Sequence, residues 1–222
     1  MPKPRMVRNS ARAKKLKSFL ADGFNDYIGA RVLFLEQLPK QGAILSSTAI
    51  EKCFKAFLAF GGNESHGHLK TAHWKAMQNF DRALFSKLDL SFIKLNQRAY
   101  KLRYTDGLPL DFNLIISSRE FLAELDHTVS SMFERLTIEE NGKAQQTPYE
   151  VALSTPDERL IKENHVIARE EKQAFILRRP QLVYEVRNDP VLGLIKVTYV
   201  TTNRSEFKGA GFLRPGLVPR LS

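Results

Sequence analysis

The side chains best suited to chemistry in this chain are cations, and what they suit is phosphate. Lys52 and Lys55 stand three residues apart beside Glu51, so a helix would put both ammonium groups on one face. A solvated stripe with a Glu–Lys pair is the plainer alternative. Arg98 and Arg103 bracket Ala99-Tyr100-Lys101-Leu102, with Tyr104 following. An arginine stays protonated at any biological pH, so neither can act as a base, but each can clamp a phosphate through paired N–H groups. The first seventeen residues add Lys3, Arg5, Arg8, Arg12, Lys14, Lys15 and Lys17, and no acid. If all seven met phosphates, log K would fall with log salt at a slope of roughly −6 on duplex DNA, less on single strands. A solubilising tail would carry the same residues.

Other chemistries are poorly provided for. His66, His68 and His73 fit no familiar zinc spacing, and only Glu64 stands near them as a carboxylate, so a structural or capping role suits them better and no metal is expected. Cys53, set among Ala49, Phe54 and Phe57, reads as a core thiol rather than a nucleophile. Gly61-Gly62 lacks the lysine and the following Ser or Thr of a phosphate-binding loop. Trp74, near Lys70 and Lys75, could stack a base, although a core position is the commoner use of such a residue.

Helices must position these groups. Leu20, Phe24, Tyr27, Ile28, Phe34, Leu35 and Leu38 recur at three- and four-residue steps over 18–38, and Pro39 stops the run. Residues 43–60 predict a second helix whose apolar face is wide enough for burial on two sides, in a bundle or against another subunit, with Gly61-Gly62-Asn63 ending it. Shorter helices are expected near 69–80 and over 90–104, and a last one over 113–136, where Leu122, Leu125, Val129, Met132 and Leu136 show coiled-coil-like spacing. After Leu136, residues 139–150 resemble a linker, 154–175 a charged helix, and 182–186 with 194–200 a pair of strands. The expected fold is mostly α: an antiparallel five-helix bundle over 18–136, a basic N-terminal arm over 1–17, and a small α+β C-terminal appendage of one helix and a β-hairpin over 137–222.

Bulk composition agrees with a folded, soluble chain. Of 222 residues, 43% are hydrophobic and 26% charged, near the globular average. The net charge of +10 belongs mostly to the arm, because residues 18–136 hold fourteen basic and thirteen acidic side chains. No apolar run reaches the ~20 residues that a spanning helix needs. One cysteine excludes an internal disulfide, and no secretory signal is visible. A cytoplasmic location is expected.

Four segments together resemble the HEPN family (higher eukaryotes and prokaryotes nucleotide-binding). They are Asp26-Tyr27-Ile28-Gly29-Ala30-Arg31, then Ser47 through Leu58 with its Ala-x-Glu-Lys and Lys-Ala elements, then Gly67-His68-Leu69, then Tyr100 through Asp106. The resemblance implies a small helical bundle, usually dimeric, from a prokaryotic toxin–antitoxin or defence system, often working beside a minimal nucleotidyltransferase. Many such proteins are metal-independent ribonucleases that use an arginine and, four to six residues on, a histidine. Here Arg103 stands where the histidine is wanted, with Arg98 before it. That weakens a ribonuclease reading and leaves RNA or nucleotide binding intact, with Lys52, Lys55, Arg98 and Arg103 lining a cleft and no cofactor required. The resemblance also implies a candidate role for Tyr104, since a tyrosine near this position is a modification target in some toxin relatives. Arg159 and His165 meet the arginine-to-histidine spacing, but outside the resembling segment, where a solvated helix face is the simpler account of His165. The alternative function is a non-catalytic module that holds RNA or nucleotide or docks a partner.

Overall fold

The computed structural model describes residues 5–7, 10–61, 71–140, 143–178 and 180–201. A short strand, β1 (Arg5–Val7), leads into two long helices, α1 (Ser10–Leu35) and α2 (Pro39–Phe60). These form an antiparallel hairpin, since Gly42 meets Phe34, Gly29 meets Leu45, and Gly23 meets Ala49 and Cys53. The backbones approach closely at Gly42: a Cβ there would stand 2.7 Å from the Phe34 ring and 3.2 Å from the Ala30 carbonyl oxygen. Pro39 opens α2 instead of merely ending its predecessor, as proline in a first helical turn can.

Three further helices follow: α3 (Thr71–Phe80), α4 (Arg82–Phe85, capped by Asp81) and α5 (Leu90–Ala99, capped by Asp89). Two tight turns over Tyr100–Arg103 and Thr105–Gly107 close this stretch. The helix expected over 113–136 is instead a strand, β2 (Asn113–Ser117), running directly into α6 (Ser118–Phe133). Leu114 and Ile116 alternate inward as strand residues do, and only from Ser118 does the helical period take over. Helix α6 is buried on nearly every side, which marks it as the central element.

The expected linker over 139–150 is also structured. β3 (Leu136–Glu140) pairs in parallel with β1 and antiparallel with β4 (Lys143–Gln145). Helix α7 (Pro148–Ser154) then starts with a reciprocal capping box between Thr147 and Glu150. The charged helix expected over 154–175 breaks into α8 (Glu158–Ile161) and α9 (Lys172–Ile176), with Glu163 and Arg169 at positive φ between them. The hairpin forms as β5 (Gln181–Asp189) and β6 (Gly193–Thr201), and β2 joins it in the order β2-β5-β6, all antiparallel. Helices hold 61% of the described residues, so the chain is mostly helical with a small antiparallel sheet. None of the described helices is long and apolar enough to cross a membrane.

The N-terminal arm requires a correction. Helix α1 begins at Ser10, so Lys14, Lys15 and Lys17 ride on a folded helix whose Ala13, Leu16 and Leu20 are buried beneath them.

Candidate functional site

The most connected polar cluster lies inside the protein. Arg31 of α1 and Asp126 of α6 are both fully buried and form an ion pair, with Arg31 Nη1 donating to both carboxylate oxygens. Tyr27, one turn earlier on α1, donates its hydroxyl to Asp126 at 2.8 Å. Burial, reinforced by the Asp126 charge, holds the Tyr27 phenol well above its ordinary pKa, so it remains a neutral donor. Burial also pushes the Asp126 carboxyl upward, against the pull of Arg31.

Arg31 does more than neutralise a carboxylate. Its Nε donates to the Arg159 carbonyl at 3.0 Å and its Nη2 to the Lys162 carbonyl. A helix continuing past Ile161 would need those carbonyls for its own ladder. Asn164 completes the stop: its side-chain nitrogen donates to Leu160 O at 3.0 Å, and its oxygen accepts from the Val166 and Ile167 amides. The broken helix is thus explained by a guanidinium arriving from α1.

The expected phosphate-binding residues lie elsewhere and do not converge. Arg98 is half-buried, donates to the Asn113 carbonyl and stacks over Phe112, its guanidinium carbon 5.4 Å from the ring centroid. It latches α5 to the start of β2. Arg103 is exposed and lies over Tyr100, 5.2 Å from that centroid, beside exposed Lys101 and Tyr104. The contacts described for the two guanidiniums are with different residues. Comparison with protein-family models, curated proteins and solved structures finds no match to this chain.

Lys52 pairs with Asp26 at 2.8 Å, and Thr48 donates to the same carboxylate oxygen. Lys55 pairs with Glu51 at 2.6 Å, one turn back on α2. Both cations are therefore already matched by carboxylates. Lys14 and Lys15 are exposed on α1 and border a shallow hollow with Ser18 and Phe19. Lys17 lines a wider groove of about 790 Å³ together with buried Phe24, Ile138 and Ala152 and with Asp157 and Glu158.

The Arg159/His165 pair is split. The Arg159 guanidinium is exposed and bound to Asp157 through two contacts of 2.9 and 2.7 Å. His165 is 5% exposed, so it is not on a solvated face; its Nε2 lies 3.1 Å from the Ala123 carbonyl and its ring packs on Phe175. His73 and Trp74 are buried, whereas His66 and His68 lie outside the described residues. Among the described residues no group of three or more His, Cys, Asp or Glu side chains is placed to hold a metal. Burial pushes the Cys53 thiol up to about 12, which leaves it unreactive.

One acidic site had no counterpart in the motif reading. Glu120 and Glu124 sit one turn apart on α6, near Asp89, and Lys172 of α9 reaches Glu124 at 2.6 Å. Burial first, then the charges of Glu124 and Asp89, push the Glu120 carboxyl up to about 8. The i, i+4 spacing of two acids on a largely apolar helix was the available signal.

Proposed function

We propose that the chain is a HEPN-like RNA-binding protein with no catalytic centre of its own. The observation that carries this reading is the placement of exposed Lys14 and Lys15 on a helix packed through Ala13, Leu16 and Leu20, with Lys17 lining the groove beside it. Cations held by a packed helix meet phosphates with less ordering cost than cations on a floppy arm. A second patch supports it: Arg103 stacked on Tyr100, with exposed Tyr104 alongside, offers charge and an aromatic face of the kind single-stranded bases stack on. The non-catalytic half of the reading rests on Arg98, which is occupied by Asn113 and Phe112, and on Arg103, which cannot take a proton. The resemblance adds a setting, a prokaryotic toxin–antitoxin or defence system in which the chain holds RNA beside a minimal nucleotidyltransferase.

Fluorescence anisotropy with a labelled single-stranded RNA, repeated over a range of KCl concentrations, tests this. Replacing Lys14, Lys15 and Lys17 together by alanine should reduce the salt slope by about 2, at ~0.7 per phosphate contact on a single strand. Tyr104→Ala should weaken binding by about 1–3 kcal/mol if one base stacks there. An unchanged slope in the triple variant removes the α1 site. RNA cut in EDTA would replace this reading with the ribonuclease one, and calorimetry with ATP and GTP separates RNA from nucleotide as the ligand.

A further inference from the structure

The groove of about 790 Å³ is lined by one stripe from each of two helices. Lys17, Ala21, Phe24 and Asn25 come from α1; Pro148, Val151, Ala152 and Thr155 come from α7, and both sets keep the three- and four-residue steps of a single helix face. Connectivity fixes the two ends. Val7, three residues before α1, pairs with Ile138 of β3, and α7 follows β4, so both helices leave the same small sheet. Farther along α1, Arg31 holds the Arg159 and Lys162 carbonyls, which puts α8 at the other end. Lys17 therefore lies toward the sheet, while Asp157 and Glu158 lie where α7 gives way to α8. The Lys17-to-Asn25 stretch of α1 is about 12 Å long at 1.5 Å per residue, the reach of three or four extended residues at ~3.3 Å each.

We propose that this groove binds a short extended peptide segment of a partner protein, with an apolar side chain lodged between α1 and α7 and a neighbouring basic side chain paired with Glu158. The apolar lining supplies the first half of that recognition. Phe24, Ile138 and Ala152 are buried, but Val151 is 43% exposed, apolar surface that such a side chain would take out of water. The polar lining suits a peptide backbone: Asn25, Gln145 and Gln146 each carry a side-chain donor and an acceptor, matching the N–H and C=O of a peptide unit. Charge supplies the second half. Arg159 occupies both oxygens of Asp157, whereas the side chain of exposed Glu158 has no ion pair among the described residues. Lys17 repels a basic residue at the sheet end, so the basic side chain belongs at the α8 end. Two carboxylates against one lysine also disfavour a nucleotide, whose phosphates need convergent cations. The inference does not depend on RNA binding at Lys14 and Lys15.

The test offers two pools of end-blocked peptides to the immobilised full chain and reads retention by mass spectrometry. In one pool every peptide carries two apolar residues (Leu, Ile, Val or Phe) with Arg on one side of the pair or the other; in the second pool Glu replaces Arg. The Arg pool should be retained better by about fivefold or more, since an exposed charge pair attracts in one pool and repels in the other. Glu158→Lys should reverse that preference. Val151→Trp, which fills the groove from an exposed position, should cut retention of both pools. Leu153→Trp is the control: Leu153 is also 43% exposed on α7 but does not line the groove, and its replacement should change nothing. Circular dichroism confirms that each variant is folded. No retention, equal retention of the two pools, a preference that survives Glu158→Lys, or equal effects of the two tryptophans would each overturn the proposal. So would displacement of the Arg pool by AMP, which makes the groove a nucleotide site, or by arginine amide at equal concentration, which makes it a site for small cations.

Discussion

Asp126→Asn is the most informative single change, because it keeps the shape of the buried carboxylate and removes its charge. In the native chain Arg31 donates to three groups, the Asp126 carboxylate, the Arg159 carbonyl and the Lys162 carbonyl, and lies over the Tyr27 ring. The substitution spares the two carbonyl contacts but leaves a guanidinium fully buried with no countercharge. Removing one member of such a pair costs about 3–5 kcal/mol, a large share of the roughly 5–15 kcal/mol that holds a typical domain folded. With an m-value of about 2 kcal/mol/M, the urea midpoint should fall by about 1.5–2.5 M, measured by equilibrium unfolding followed by circular dichroism. Arg31→Met should cost more than Asp126→Asn, since it strips both carbonyls of their donor as well, at about 1–3 kcal/mol each. The double variant Arg31→Met/Asp126→Asn should lie at least 2 kcal/mol below the sum of the single losses, because it strands no charge. An Asp126→Asn loss under 1 kcal/mol, or strict additivity in the cycle, would show that the cluster does not hold α1, α6 and the 159–164 segment together.

Two further expectations follow from the packing. Glu120, pushed up to about 8 from an ordinary 4.5 by burial and then by Glu124 and Asp89, keeps its proton longer in the folded chain than in the unfolded one. Its contribution to stability is therefore complete below about pH 4.5 and is lost as pH rises through 8. Glu120→Gln should gain on the native chain between pH 5 and pH 8.5 in paired urea titrations; parallel pH profiles would contradict the assignment. Gly42→Ala should lower the melting temperature by about 3–6 °C, as the new methyl group meets the Phe34 ring at 2.7 Å, an overpacking loss of about 1–3 kcal/mol that exceeds the gain in helix propensity. An equal or higher melting temperature in a calorimetric scan would mean that the α1–α2 hairpin can open at no cost.

What could be read from residue order, and what could not, divides by how local the cause is. The α1–α2 hairpin is legible because each helix repeats its apolar period over five turns or more, and the β5–β6 hairpin because two strand-like runs flank Asn188-Asp189-Pro190 and Gly193. The start of α1 is obscured in the sequence: Ala13, Leu16 and Leu20 keep helical spacing under the lysines, but the density of charge masks it. β2 is hidden in the sequence because five residues of alternation run without a turn into a true helix, so the two periods blend. The break between α8 and α9 has only weak local marks, since its main agent, Arg31, lies 128 residues before Arg159. The candidate site follows the same division. Pairings one turn apart, such as Glu51 with Lys55, could be anticipated from spacing alone. The latch of Arg98 on Asn113 and Phe112, and the seating of His165 against Ala123 and Phe175, depend on where remote segments come to rest.

The reach of Arg31 also bears on the order in which the chain can be completed. As the protein emerges from the ribosome, α1 and α2 can zip together early, because they are neighbours joined by a short turn. The Arg31 guanidinium on α1 then waits for Asp126, and afterwards for the carbonyls of residues 159 and 162. Until Asp126 is made that charge has no counterion, and until residue 162 is made its set of acceptors is incomplete. A segment made 128 to 131 residues after Arg31 thus acts as the keystone for the first hairpin.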